Sequence, residues 1–144
     1  MSEFQLDKRL DKDCFVMGDL PLCRVLLMND SQYPWFILVP RVAGVYEAFH
    51  LDEEQQLQLA CESSLTAAIL NDVFEADKMN VASLGNVVKQ LHVHHIVRYE
   101  SDVAWPNPVW GRLPAKPYGQ AQVAEIKKKL ESLFSCFESV GGVK

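Results

Sequence analysis

The chain is 144 residues long with a mass of 16.3 kDa, the size of one domain. Hydrophobic residues make up 49% and charged residues 23%, so there is enough apolar material to exclude disorder as the main state. A formal net charge of −5 and a pI of about 5.3 argue against nucleic-acid or anionic-membrane binding, which needs a basic surface.

Four cysteines, Cys14, Cys23, Cys61 and Cys136, form no CxxC pair, so neither a zinc knuckle nor a redox dithiol is indicated. The opening MSEFQLDKRLDKD alternates charge with apolar residues and lacks the apolar run of a secretory signal. No stretch has the roughly 20 apolar residues of a membrane span. These features read as a soluble cytoplasmic protein with reduced thiols.

In chain order, Phe4 to Leu10 reads as a short helix and Gly18–Leu22 as a turn. Cys23–Met28 and Trp35–Pro40 read as two strands, joined across the polar, proline-bearing loop 29–34 into an antiparallel hairpin. The unbroken apolar run of the second predicts burial on both faces. A helix is predicted from Asp52, an N-cap with Gln55 three residues on, to about Ala76–Asp77. Leu57, Cys61, Leu65, Ala68 and Ile69 recur along it at helical spacing. Residues 80–86 read as a loop and Val87 to about Tyr99 as a third strand. Two prolines between Trp105 and Gly111 forbid regular structure there. A long helix from about Gln120 to Val140 gathers Val123, Ile126, Leu130, Leu133, Phe134 and Phe137 on one face, and Gly141–Gly142 reads as its stop. This order lacks regular βαβ alternation, so an α+β domain spanning 1–144 with an antiparallel sheet is expected.

The chemistry concentrates in Gln90-Leu91-His92-Val93-His94-His95-Ile96-Val97-Arg98. On a strand, Gln90, His92 and His94 would share one face, and Leu91, Val93, His95 and Val97 the other. Side chains two apart stand roughly 7 Å apart at the backbone, close enough to share one small anionic group. Imidazole titrates near pH 6.5, so it can serve as a neutral nucleophile or a cationic stabiliser. One ring could attack phosphorus and form a covalent intermediate while its neighbour steadies developing charge. No carboxylate lies between Val87 and Arg98, which disfavours a carboxylate acid/base pair. The pattern alone leaves two other readings open. The histidines can be satisfied structural residues, or HxH can bind a metal given a third ligand, with His50 the one remaining histidine.

The same stretch resembles the histidine-triad (HIT) family, which carries HφHφHφφ on a strand, φ being apolar. Gly85-Asn86-Val87-Val88-Lys89 resembles the family's glycine-glutamine approach to that strand, with Asn86 in the glutamine's place. Trp35–Arg41 resembles its His-Phe-Leu-Val-Ile-Pro-Lys strand, and Leu27-Met28-Asn29-Asp30 the preceding strand end that meets a ribose.

The resemblance implies an α+β fold with a five-stranded antiparallel sheet, usually paired as a homodimer. It implies reaction at the α-phosphorus of a nucleotide through a nucleotidyl-histidine, with His92 as nucleophile and His94 assisting at the phosphate. No cofactor and no metal is implied at the nucleophile. It also suggests ribose contact at Asn29 and phosphate contact at Asn86, with Gly85 as a further substrate-binding residue. Two departures stand out. Gln90 occupies the first triad position, giving QxHxH, and Trp35 stands where many members have a fourth histidine. Neither can carry charge. The substrate expected is a nucleotide phosphoramidate, a dinucleoside polyphosphate or a similar ester. A nucleotide-binding module with little catalysis is the alternative.

Three further features have plainer readings beside functional ones. Trp105 and Trp110 read as an aromatic wall or as a loop pinned to the core. Lys127–Lys129 reads as a solvated helix face, and Arg98 as a structural ion pair or a phosphate contact. No role is assigned to His95 beyond facing the helix layer or a loop.

Overall fold

The computed structural model describes residues 3–142. Strands β2 (Cys23–Met28) and β3 (Trp35–Pro40) form the expected antiparallel hairpin, with Leu26 opposite Ile37. Every residue of β3 is buried, as its apolar run requires. The reason is its central place in a five-stranded sheet, two of whose strands are not legible in the sequence. Strand β1 (Cys14–Asp19) lies antiparallel on β2, and the expected turn at Gly18–Leu22 overlaps only its last two residues. Gly18 sits at a bulge in it with φ +153°, and a Cβ there would lie 2.8 Å from the Phe134 ring. Glycine therefore serves both a backbone twist and a close approach.

Strand β4 (Lys78–Ala82) forms the opposite edge, overlapping the expected loop, and β5 (Val93–Arg98) lies between β3 and β4. All neighbouring pairs are antiparallel. The third strand is thus shorter than the 87–99 predicted. Residues 87–92 approach it irregularly, and the Leu91 N–H donates to the Val45 carbonyl at 2.9 Å.

Helix α1 (Lys8–Asp13) starts later than expected because the Asp7 carboxylate accepts from the Arg9 N–H at 2.8 Å and caps it there. Helix α2 (Glu53–Val73) begins as predicted, with Asp52 and Gln55 capping each other reciprocally. Its buried face differs from the predicted one. Leu59, Glu62, Thr66 and Leu70 are buried, whereas Leu57 and Cys61 are exposed. Glu62 explains the rotation: its carboxylate accepts from the Leu22 and Cys23 backbone N–H groups and holds the entry to β2.

The single C-terminal helix expected is two, α3 (Gln120–Lys129) and α4 (Glu131–Gly142). They break at Leu130, whose N–H reaches both the Ile126 and Lys127 carbonyls in a tightened turn. The predicted apolar stripe of this segment does pack on the core. Gly141 and Gly142, expected as the stop, fall within the bounds of α4.

The pleat divides the sheet into two apolar layers. On one face Val25, Leu27, Phe36, Leu38 and Val97 meet α2, α3 and α4; on the other, Leu26, Trp35, Ile37, Val39 and Ile96 meet Leu10 of α1 and Val109. Among the described residues no helix is long and apolar enough to cross a membrane. The four cysteines are free; burial pushes the Cys14 thiol up to about 12 and, with Glu62 beside it, raises Cys23 further.

Candidate active site

Strand β5 separates its two adjacent histidines by face, as alternation requires. His94 projects onto the α1 side, and the His92 ring, one residue before the strand, meets it edge-on with centroids 4.9 Å apart. His95 points the opposite way into the α2 layer, fully buried, with Nε2 2.7 Å from Ser63 Oγ and Nδ1 3.1 Å from the Val93 carbonyl.

Hydrogen bonds fix the protons on the two site imidazoles. His92 Nδ1 lies 2.7 Å from the Gln90 carbonyl, which can only accept, so Nδ1 carries the proton and a neutral ring keeps its lone pair on Nε2. His94 is the reverse. The Trp35 indole Nε1–H donates to His94 Nδ1 at 2.9 Å, which leaves a neutral His94 with its proton on Nε2. One ring therefore offers a base and the other a donor. Trp35 and Trp110 enclose His94, with ring centroids 5.7 and 5.1 Å from it. That burial, with the neighbouring His92 and His95, lowers the His94 pKa to about 3. Burial likewise lowers His95 to about 4.

Unfolded, each imidazole takes up a proton near its ordinary value of 6.5, while the folded rings hold out to about 3 and 4. The stability contributed by keeping them neutral is full above pH 6.5 and is lost as pH falls toward 4. Thermal melts should show the midpoint falling through this window, and falling less steeply in His95→Gln. Identical slopes for parent and variant would contradict the assignment.

His92, His94, Trp35, Trp110 and Asn86 line a cavity of about 330 Å³, within the range that takes small ligands. Arg9, Leu10 and Asp13 of α1 form another part of its wall, with Arg9 and Asp13 loosely paired at 3.8 Å. Sequence reasoning missed these three, because nothing local to α1 signals the neighbour it acquires on folding.

Of the predicted site residues, His92, His94 and Asn86 come together here. Gln90 does not share the imidazole face as expected, because the strand begins only at Val93. Its carboxamide instead binds the backbone of residues 5 and 7. The Asn29 carboxamide oxygen accepts from the Tyr118 N–H at 2.8 Å, tying down the approach to α3. Gly85 lies beside a separate depression with Tyr46 and Phe49.

Arg98 is 1% exposed and makes a two-pronged pair with Asp102 at 2.9 and 3.1 Å. It is the structural ion pair of the two readings. Trp105 stacks on Arg98, while Trp110 lines the cavity, so the two indoles divide the roles of pin and wall. His50 is remote from this cluster: its Nδ1 accepts from the Tyr46 and Glu47 amides. Among the described residues no three His, Cys, Asp or Glu side chains gather as metal ligands.

A family model described as the HIT domain matches residues 9–101, about two thirds of the chain. The chain belongs to the histidine-triad family. A crystal structure of a histidine triad protein from Marinobacter aquaeolei is 51% identical to this HIT chain, with a TM-score of 0.92, covering 94% of this chain and 99% of that one. One from Sinorhizobium meliloti is 43% identical at a TM-score of 0.88, covering 90% and 96%. Plasmodium falciparum diadenosine triphosphate hydrolase, solved with cyclomarin A, shares the fold at 16% identity and a TM-score of 0.54, covering 96% and 86%. No curated protein matches the chain. Membership of the HIT family accounts for the antiparallel sheet and the location of the histidine motif in this chain.

Proposed function

We propose that the protein hydrolyses, or transfers a nucleotidyl group from, a nucleotide phosphoramidate, a dinucleoside polyphosphate or a similar ester. The observation that carries this reading is the opposed pair of tautomers: a lone pair on His92 Nε2 beside an N–H on His94, in a cavity of ligand size.

In the first step His92 Nε2 attacks the α-phosphorus. A phosphorus–nitrogen bond forms as the bond from phosphorus to the leaving group breaks. His94 donates its Nε2–H toward the phosphate oxygens, where negative charge gathers. In the second step water attacks the same phosphorus, the bond to Nε2 breaks, and the mononucleotide leaves with His92 restored. Asn86, the amide beside the imidazoles, is the phosphate contact in this reading.

The test is to trap the intermediate. Incubation with a panel of these substrates, quenched early, should add the mass of one nucleotidyl group to the protein. Turnover of none of them would overturn the catalytic reading. AMP binding without turnover would instead favour the binding module. That second reading has its own support, since neither Gln90 nor Trp35 supplies charge to the site.

Trp35 has a defined part in the mechanism. Trp35→Phe keeps an aromatic ring but removes the donor that holds His94 in its tautomer. Turnover at saturation should fall about tenfold to a hundredfold, as when other ring-orienting partners are lost. An unchanged kcat would show that the indole only fills space. A second copy of the chain is our reading for the exposed Tyr46, Phe49, Leu57, Val81 and Val87, and mass measured by light scattering tests it.

A further inference from the structure

Gln90 meets the site through its main chain and something else through its side chain. Its carbonyl accepts from His92 Nδ1 at 2.7 Å. Its Oε1 accepts from the Asp7 N–H at 2.8 Å, and its Nε2 donates to the Gln5 carbonyl at 2.9 Å. Those partners lie 83 and 85 positions away in sequence.

The pattern is that of a strand pair. One planar amide receives the N–H of one residue and gives to the carbonyl two residues earlier, as a neighbouring backbone would. A carboxamide is suited to this because donor and acceptor share one plane. A carboxylate lacks the donor, and a protonated imidazole lacks the acceptor.

What is fastened is the segment that leads into α1. Phe4 and Leu6 of this arm pack against the apolar cluster that contains Trp35, and Asp7 caps the helix. At the far end of α1 the Asn29 N–H donates to the Asp13 carbonyl at 3.0 Å. Helix α1 is thus tied at both ends, and the face held between the ties carries Arg9, Leu10 and Asp13 into the cavity wall. An isolated helix of six residues would not persist without such ties.

We propose that Gln90 is a positioning residue: its carboxamide pins the N-terminal arm, and so holds α1 as the wall of the His92–His94 cavity against which substrate binds. This rests on the nucleotide reading of that cavity, and it departs from a role for the Gln90 side chain at the reacting phosphate. In a QxHxH chain, the first triad position is then spent on building the pocket.

The experiment combines amide hydrogen exchange with AMP titration and steady-state kinetics on the full chain. Gln90→Ala should speed exchange across residues 5–13 and weaken AMP binding and KM about tenfold. The kcat should change less than about threefold, because the reacting atoms are untouched. A kcat that falls with KM and AMP affinity unchanged would overturn the proposal, and so would unchanged exchange.

Asp7 offers a second approach. Its φ of −53° suits proline, so Asp7→Pro deletes the N–H that Gln90 accepts, while Asp7→Ala deletes only the cap. The difference between these two variants should be present with Gln90 and vanish in the Gln90→Ala background. Persistence of that difference without Gln90 would refute the pin. If the parent binds no nucleotide, the functional reading fails and exchange alone decides: acceleration in Gln90→Ala supports the pin, and no change rejects it.

Discussion

His92→Ala is expected to lower turnover by about four orders of magnitude or more and to abolish the nucleotidyl adduct. The ring's Nδ1 is committed to the Gln90 carbonyl, so Nε2 is the atom left to act, and the ring lines the cavity. Water attacking phosphorus directly would have neither that lone pair nor its placement. AMP affinity should stay within about threefold of the parent, since Asn86, Trp110 and the α1 wall remain. Rapid-quench mass measurement and steady-state rates on parent and variant decide the matter. Parental rates in the variant would end the covalent mechanism while leaving the fold assignment intact.

Arg98→Ala is expected to be the most damaging substitution for stability, costing about 3–5 kcal/mol. Arg98 gives its guanidinium to Asp102, to Asn80 Oδ1 at 2.7 Å and to the Asn107 carbonyl at 2.8 Å. Its guanidinium also lies over the Tyr33 and Trp105 rings, 5.9 and 5.5 Å from their centroids. Removing it strands the Asp102 side chain, which is only 4% exposed, as an uncompensated charge. Burial alone would raise the Asp102 pKa, but the Arg98 guanidinium and the Tyr99 and Ala104 amides hold it below the usual carboxylate range.

Chemical denaturation should register the loss as a lower midpoint at similar slope. Adding Asp102→Asn should recover part of it, since an amide oxygen can still accept from the Ala104 and Trp105 N–H groups. A loss below about 1 kcal/mol would mean that solvent reaches the pair. The same tie holds the loop bearing Trp110, so substrate binding should weaken before the variant unfolds.

The centre of the molecule was readable, and its periphery was not. Strands β2 and β3 carry their own signal, because a run such as Trp35–Val39 is apolar enough to require burial wherever it goes. The Asp52–Gln55 cap is equally local. Strands β1 and β4 are edges, and what makes them strands is a partner's ladder. Lys78-Met79-Asn80-Val81-Ala82 has no pattern that would announce it alone.

Helix α2 misled for a related reason. Its apolar residues at 57, 61, 65 and 68 suggested one face, while the buried Glu62 and Thr66 belong to another. A carboxylate satisfied by two backbone N–H groups can be buried, but the groups that satisfy it lie on a different element. At the site, the opposed faces of His92 with His94 and of His95 followed from alternation. The α1 wall and the Gln90 tether depend on contacts more than 80 residues apart in sequence, beyond the reach of any local rule.

His94 and His95 are chemically identical neighbours, yet one faces a ligand-sized hollow and the other a serine under a helix. Their fates differ by parity alone. A chain slipped by a single position along β3 would turn the strand over, bringing His95 to the hollow and sending His94 beneath the helix. The hydrogen-bonded ladder on both flanks of β5 therefore acts as an address, deciding which imidazole reaches the hollow, as well as a scaffold.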